Sequence, residues 1–235
     1  MWLVLCHADD LAALWAYQGL KARGLSPVEL VSAESLAFSL RWEHWIDSEG
    51  ASFRITLADG RQIASDCVFG ALNRIQFAPL PHWRRAATKE QEYVQQEMTA
   101  FYTSWLSALP GPVLNPATPL GLSGAWRRPV QWMKLAEQAG LATPAYHSGR
   151  VLEQQTGARR ATVILVNGGM AGEVPAAEGC RRLALLSRTP LLGIDFEVQH
   201  DGSWQFVGAT GTPDLRLGGT TFLDSLKSCL EGCRS

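Results

Sequence analysis

Short apolar runs alternate, in the first part of the chain, with segments whose apolar residues recur at helical spacing. Trp2–Cys6 is apolar throughout and bounded by polar residues, which predicts a buried strand. Asp9 or Asp10 is placed to cap the helix that follows, and Gly24 to end it. A second strand is predicted over 28–32. This order is typical of a βαβ unit, so we expect a parallel sheet with a right-handed crossover.

Polar and apolar positions next alternate as in a hairpin, with Asp59-Gly60 as its turn. The longest stretch of helical spacing comes later and is stopped by Pro110-Gly111-Pro112. In chain order, the elements predicted for this part are a hairpin over 53–67, a strand over 68–75, a helix over 89–109, a strand over 113–115 and a helix over 130–139.

The pattern changes after Pro144, where a run rich in β-branched residues follows segments rich in Gly and Pro. The predicted elements are a strand over 161–166, a helix over 176–186, strands over 191–198 and 204–207 with Asp201-Gly202 between them, and a helix over 220–230. We therefore predict an α/β protein of two domains. Residues 1–145 form a parallel-sheet domain, and residues 146–235 form a smaller α+β domain.

Composition narrows the function classes. Hydrophobic residues make up 46% of the chain and charged residues 18%, the balance of a packed globular protein rather than a disordered one. The net charge of −1 argues against nucleic acid as the main partner. No apolar stretch is long enough to span a membrane, and the start of the chain lacks the features of a signal peptide. Five scattered cysteines suit reduced thiols, so we expect a cytoplasmic protein.

Polar side chains end three of the predicted parallel strands. His7 follows the first, Asn73 and Arg74 end the central one, and Asn115 ends the next. Ligands of open α/β sheets bind at the carboxyl ends of the strands, so Arg74 and Asn115 are candidate ligand-binding residues. The alternative is that Asn73, Arg74 and Asn115 tie strand ends to loops by hydrogen bonds. For His7 a local hydrogen-bonding role is favoured.

Acidic and basic candidates also occur in the second predicted domain. Asp195 lies inside an apolar strand, where a carboxylate is costly unless it is paired or metal-bound. Asp214 and Arg216 lie before the last helix. They form either an ion pair that fixes the loop or a polar site at that helix's N-terminus. Asp195, Asp214 and Arg216 are therefore candidate ligand-binding residues, and no residue is identifiable as catalytic.

The order of these pieces resembles ATP-grasp proteins, especially the RimK-like branch that joins carboxylates to amines. The resemblance covers most of the chain. It rests on short motifs: LNR at 72–74, VLNP at 113–116, GLATP at 140–144, LLGIDFEV at 191–198, DGSWQFV at 201–207, and the late Pro213. It implies a pre-ATP-grasp-like parallel-sheet domain, followed by an ATP-grasp-like α+β domain.

The chain departs from that family where the family binds magnesium and nucleotide. Asp195 matches the family's first metal-binding acid, but the Glu and Asn of the next strand fall on Gly208 and Thr210. No lysine occurs from Arg150 to Gly193, the interval that carries the family's nucleotide-binding lysines and that is too short here for its full lid. One carboxylate is a poor magnesium site. The departures imply a degenerate, shortened ATP-grasp scaffold with no metal site and no cofactor.

Three functional hypotheses follow. The first is a non-catalytic or accessory protein that binds a partner protein, peptide or small metabolite in a biosynthetic pathway. The second is an ATP-dependent carboxylate–amine ligase that uses ATP and magnesium in a noncanonical or partner-completed site. Under the third, the resemblance is coincidental and the function unrelated, which a structure without paired antiparallel strands after residue 145 would indicate.

Overall fold

The computed structural model describes residues 1–80, 87–144, 159–171 and 176–232. The chain divides into two compact units, one formed by residues 1–126 with the chain from 226 onward, the other by residues 127–225. In chain order the elements are β1 (Trp2–Cys6), α1 (Leu11–Ala22), β2 (Val28–Ser32), α2 (Ala33–Ala37), β3 (Arg41–Asp47), β4 (Gly50–Thr56), β5 (Gln62–Ala64), β6 (Gly70–Asn73), α3 (Thr88–Ser107), β7 (Val113–Leu114), α4 (Pro129–Ala139), β8 (Arg159–Val166), β9 (Gly169–Ala171), α5 (Ala177–Ser187), β10 (Leu191–Val198), β11 (Trp204–Thr210) and α6 (Gly219–Glu231).

A four-stranded parallel sheet organises the first unit, with strand order β2-β1-β6-β7. All five residues of β1 are buried, as expected of an inner strand covered on both faces. The predicted β1–α1–β2 unit is confirmed. Asp10 caps α1 by accepting a hydrogen bond from the amide of Ala13 at 2.9 Å. Gly24 follows the helix with φ +79°, a left-handed conformation that favours glycine.

An antiparallel sheet of β3, β4 and β5 adds one strand to the predicted hairpin. The sequence pattern did not reveal β3, because this edge strand leaves Trp45 and Ile46 largely exposed and so lacks a clean alternation. Inside the unit, Phe53 of β4 packs edge-to-face on Trp105 of α3, with ring centroids 6.0 Å apart. Helix α3 thus shares one core with both sheets.

Two predicted strands are shorter in the structure than in the sequence pattern. The return strand of the hairpin ends at Ala64, because a 3₁₀ turn over Ser65–Cys67 follows it. The central strand consequently begins at Gly70 rather than 68, and it ends at Asn73. Asn73 is thus the last residue of this buried strand, and Arg74 follows it directly.

The second unit is built on an antiparallel sheet with strand order β11-β10-β8-β9. The sequence analysis predicted paired antiparallel strands after residue 145 for an ATP-grasp-like second half, and this sheet contains them. Helices α4 and α5 cover one face, where Trp132 and Leu183 share a core with Ile194 and Phe206. Helix α4 therefore packs with the later elements, whereas the predicted division near residue 145 places it with the earlier ones. Residue 145 itself lies outside the described residues.

Helix α6 begins in the second unit, and its later residues belong to the first. There, Nζ of Lys227 donates a hydrogen bond to the carbonyl of Arg23 at 2.8 Å. Within the described residues, no helix has the length and apolar character needed to cross a bilayer.

Candidate functional site

Asn73 anchors the loop that follows β7. Its side-chain amide donates to the carbonyls of Asn115, at 3.0 Å, and Leu122, at 2.7 Å, and its carbonyl oxygen accepts from the amide of Ile75 at 3.2 Å. Asn115 is fully buried with φ +57°, a left-handed conformation that asparagine tolerates better than most residues. The structure thus brings Asn73 and Asn115 together through this hydrogen bond.

Arg74 forms a two-pronged ion pair with Asp10. Its Nε donates to Oδ2 of Asp10 at 2.7 Å and its Nη2 to Oδ1 at 3.2 Å, and only 4% of Arg74 is exposed. The same carboxylate caps helix α1, so Asp10 joins the end of β6 to the start of α1. Asp10 is a site residue for which the sequence analysis gave only the helix-capping role.

His7 and Glu34 form a second polar pair at this edge. The amide of Gln76 donates to Nε2 of His7 at 3.1 Å, so Nδ1 carries the ring proton and donates it to Oε1 of Glu34 at 3.2 Å. The other carboxylate oxygen accepts from the amide of Ala8 at 2.9 Å. Partial burial raises the pKa of Glu34, but hydrogen bonds to the carboxylate from its own backbone amide, from His7 and from Ala8 outweigh that effect and lower the pKa.

Glu34 also lines a groove of about 740 Å³ on the first unit. We call it the Glu34 groove; its lining includes Glu34, Phe38, Phe77, Pro79, Leu80 and Glu92. The sequence analysis named none of these residues, because they come from separate segments whose proximity no local pattern reveals.

Asp195 lies on β10 in the second unit, with Thr162 of β8 on one side and Gly208 of β11 on the other. The hydroxyl of Thr162 donates to Oδ1 of Asp195 at 2.7 Å. The carboxylate is only partly buried, so this hydrogen bond and solvent offset much of the cost of placing it in an apolar strand.

Asp214 and Arg216 are paired with each other across a 3₁₀ turn. The Nε and Nη2 of Arg216 donate to the two carboxylate oxygens of Asp214 at 2.8 and 2.7 Å, and the Arg216 amide donates to Oδ1 at 3.1 Å. Both side chains are well exposed. This is the geometry of the loop-fixing ion pair, one of the two alternatives that the sequence left open.

Among the described residues, few oxygen donors lie around Asp195. The strand register sets Gly208 opposite Asp195 and Thr210 opposite Gly193, so neither cross-strand partner supplies a second carboxylate. Across the described ranges, no three His, Cys, Asp or Glu side chains lie close enough together to hold a metal ion. Magnesium takes six oxygens in strict geometry and usually needs one or two carboxylates besides phosphate and water.

The structure is similar to three ATP-grasp or macrocyclase structures over nearly the whole of each chain. One is macrocyclase MdnC from Microcystis aeruginosa, bound with precursor peptide MdnA (TM-score 0.73, 11% identity, 99% of this chain and 100% of that one). Another is a RiPP-associated ATP-grasp ligase from Chryseobacterium gregarium, in complex with ADP and a leader and core peptide (0.72, 10%, 98% and 96%). A third is ATP-grasp ligase PsnB, complexed with a phosphomimetic precursor variant, Mg and ADP (0.71, 16%, 100% and 98%).

Neither a known protein-family profile nor a curated protein sequence matches the chain. The similarity to solved structures nevertheless establishes the fold. The protein has a mixed α/β, ATP-grasp-like fold, as the sequence analysis predicted, and the described residues form one parallel and two antiparallel sheets. At these identities the likeness fixes the fold alone, and the function has to be argued from the residues.

Proposed function

We propose that this protein is a non-catalytic, accessory ATP-grasp-like protein that binds a peptide in a biosynthetic pathway. It is a degenerate and shortened relative of the RimK-like branch, needs no metal or nucleotide cofactor, and acts in the cytoplasm. Its partner is a peptide, rather than another protein or a small metabolite, because several structures similar to it were solved with a precursor or with leader and core peptides.

The observation that carries the proposal is the setting of Asp195. The resemblance to ATP-grasp proteins makes this residue the first of three metal ligands, and the other two positions hold Gly208 and Thr210. The strand register supports that assignment, since Gly208 lies directly opposite Asp195. Phosphoryl transfer depends on cations that hold and neutralise the triphosphate. Among the described residues, one partly buried carboxylate beside a threonine hydroxyl supplies little of this.

The candidate residues of the first unit support the same conclusion. Asn73 and Arg74 direct their side chains at loop carbonyls and at Asp10, and so stabilise the edge of the parallel sheet. Arg74 and Asn115 thereby shape the surface on which a ligand would lie. The ligand also contacts the candidate residues identified from the sequence, which are Arg74, Asn115, Asp195, Asp214 and Arg216.

A thermal-shift experiment on the full chain tests the proposal. A ligand at a hundred times its Kd stabilises a protein by about 2.7 kcal/mol, which raises the Tm of a chain of this size by several degrees. We expect millimolar MgATP to leave the Tm unchanged. A rise with ATP that requires magnesium and is absent in Asp195→Ala would contradict the proposal, and Asp224→Ala serves as a matched control.

The second candidate function is an ATP-dependent carboxylate–amine ligase whose site is completed by a partner. It is favoured by the ADP and magnesium in the structures of its neighbours. In this case Asp195 is a metal ligand, and Arg74 or Arg216 holds the acid substrate. The same thermal shift, repeated with the co-purified partner present, would then show magnesium-dependent stabilisation by ATP.

A further inference from the structure

Strand β3 forms one edge of the small antiparallel sheet. It pairs with β4 over its whole length, from Arg41 opposite Thr56 to Asp47 opposite Gly50, and within the described residues no strand pairs with its other side. Lysines, prolines and short lengths commonly protect such edges from other chains, whereas β3 is seven residues long and contains neither residue. The edge is therefore a candidate surface for the addition of a further strand.

Alternate residues of β3 direct their backbone hydrogen-bonding groups at this edge. Asp47 and Gly50 flank a two-residue turn, and the pair that closes such a turn exchanges hydrogen bonds across the hairpin. The amide of Phe53 donates to Oγ of Ser65 at 3.4 Å, so it points away from its partner on β3, His44. The backbone groups of the even-numbered residues of β3 consequently face the edge.

The two faces of β3 are covered to different extents. Trp42 and His44 face helix α3, where the ring of Trp42 lies 5.0 Å from that of Trp105, and Nε2 of His44 lies 2.9 Å from Oγ of a serine. Ile46 continues this face, yet 69% of it is exposed, and Trp45 on the opposite face is 46% exposed. Two large apolar side chains thus lie exposed at one end of the edge, where a second strand would remove part of their surface from water.

Opposite charges lie near the two ends of the strand. Arg41 begins β3 and Asp47 ends it, on the same face, and the side chain of Arg41 is 68% exposed. Nη2 of Arg41 donates to Glu43, and a guanidinium group has five N–H donors, so Arg41 can pair with a further carboxylate. The amides of Glu49 and Gly50 donate to Oδ1 of Asp47 at 2.8 and 3.2 Å, which orients this carboxylate before any partner binds.

We propose that two copies of this chain dimerise by pairing their β3 strands edge to edge, antiparallel about a twofold axis at His44. In this register Arg41 of each chain lies opposite Asp47 of the partner subunit, and Ile46 lies opposite Trp42 of the partner subunit. Even-numbered residues then face one another, so their outward groups form the hydrogen bonds between the chains. Opposite charges and apolar pairs across neighbouring strands stabilise a sheet. The dimer does not depend on the proposed peptide binding.

Charge disfavours the neighbouring registers that keep the same hydrogen-bonding phase. A shift by two residues in one direction places Glu43 opposite Glu43 of the partner subunit, and a shift in the other direction places it opposite Asp47 of the partner subunit. Like charges directly opposite each other destabilise a pair of strands. The register centred on His44 is also the one that pairs all seven residues of β3. The sequence of this strand therefore favours one self-complementary arrangement.

Sedimentation velocity of the full chain measures the association. One strand edge buries less area than the roughly 1,600 Å² of a standard interface, so we expect a monomer at about 1 µM and a dimer at about 200 µM. A chain that stays monomeric at the higher concentration would overturn the proposal.

Charge reversal tests where the two copies meet. Arg41→Asp or Asp47→Arg alone places like charges opposite each other twice in a symmetric dimer, and each should weaken dimerisation at least about tenfold. The double variant Arg41→Asp/Asp47→Arg restores opposite charges between the chains and should recover most of the affinity. Asp9→Arg, an exposed reversal on the same unit but outside β3, is the matched control and should have no effect. Unchanged dimerisation in both single variants would contradict β3 as the interface, and failure of the double variant to recover would contradict the register.

A proline tests the hydrogen bonds between the chains. The amide of Ile46 points to the free edge, so Ile46→Pro removes a donor to a second chain and keeps the bonds to β4. We expect this variant to keep the Tm of the wild type and to lose dimerisation. Undiminished dimerisation would contradict edge pairing. If the proline lowers the Tm, Ile46→Lys makes the same test, because it places a charge opposite Trp42 of the partner subunit.

Discussion

Arg74 and Asp10 form the most deeply placed ion pair among the described residues. Their side chains are 5% and 14% exposed, whereas Arg216 and Asp214 are 48% and 36% exposed in a similar two-pronged arrangement. Breaking a buried pair leaves one charge without a partner in a poorly solvated site, while an exposed charge regains water. Both pairs join an arginine to an aspartate and differ mainly in burial. Substituting each arginine therefore tests whether the buried pair contributes more to stability than the exposed one.

Arg74→Leu should lower the free energy of unfolding by about 3–5 kcal/mol, because the largely buried carboxylate of Asp10 loses its counter-charge and keeps only the hydrogen bond from Ala13. Arg216→Leu should lower it by no more than about 1 kcal/mol. Urea unfolding at neutral pH measures both. Equal, small effects of the two substitutions would contradict the assignment of Arg74 as the residue that holds the end of β6.

The lowered pKa of Glu34 predicts a pH-dependent contribution to stability. The folded-state pKa lies below the ordinary value of 4.5, so the hydrogen bonds to the ionised carboxylate stabilise the fold above pH 4.5. That contribution is lost as the pH falls through the folded-state pKa. The difference in unfolding free energy between wild type and Glu34→Gln should therefore be constant near neutral pH and shrink in acid. A difference that grows in acid would contradict it.

Strands β10 and β11 present two glycines in contrasting surroundings. A Cβ added to Gly193 would lie 2.5 Å from the side chain of Pro213, whereas one added to Gly208 meets nothing within 4 Å. Glycine is thus required at position 193, because the segment after β11 packs its Pro213 side chain directly against this residue. Gly208 leaves open space beside Asp195. The resemblance to ATP-grasp proteins places a metal-binding glutamate of that family at this position.

Gly193→Ala should lower the free energy of unfolding by about 1–3 kcal/mol, since the methyl group displaces Pro213. Gly208→Ala should be neutral or stabilising by up to about 1 kcal/mol, because it removes backbone freedom from the unfolded chain. Thermal unfolding of the two variants makes the comparison. A larger loss in Gly208→Ala than in Gly193→Ala would be inconsistent with the packing of Pro213.

The open space at Gly208 also allows a metal site to be rebuilt. The double variant Gly208→Glu/Thr210→Asn should bind Mn²⁺ at least about tenfold more tightly than wild type, because Mn²⁺ and Mg²⁺ share a preference for carboxylate oxygens. Electron paramagnetic resonance of free Mn²⁺ measures this. Adding Asp195→Asn to the double variant should abolish the gain. Strong Asp195-dependent Mn²⁺ binding by wild type would contradict the account.

Local chemistry determined which elements the sequence could predict. Asp10 caps α1 and Asp201-Gly202 forms the turn between β10 and β11, as their short-range patterns indicated. Strand β3 escaped prediction because an exposed edge strand has no buried alternation. The partner of Arg74 lies 64 residues away along the chain, so no local pattern pointed to the Arg74–Asp10 pair.

The whole molecule has an ATP-grasp-like fold, and under the proposed function its chain lacks residues that ATP-grasp chemistry needs. Its likeness to macrocyclase MdnC spans nearly all of both chains at 11% identity, so the two chains share a fold while most of their side chains differ. Residues that stabilise strand ends, such as Asn73, Arg74 and Asp10, keep their partners. Gly208 and Thr210, which the resemblance to ATP-grasp proteins places at metal-binding positions, carry no carboxylate. We infer that the scaffold serves binding rather than phosphoryl transfer.

Equilibrium dialysis of the full chain against radiolabelled ATP, with and without magnesium, tests this claim most directly. We predict equal ATP concentrations on the two sides of the membrane in both conditions, because no neighbour of Asp195 among the described residues completes a site for a metal–triphosphate pair. A saturable excess of ATP on the protein side that requires magnesium would contradict the account. Loss of that excess in Asp195→Asn would place the nucleotide at the site that the account describes as incomplete.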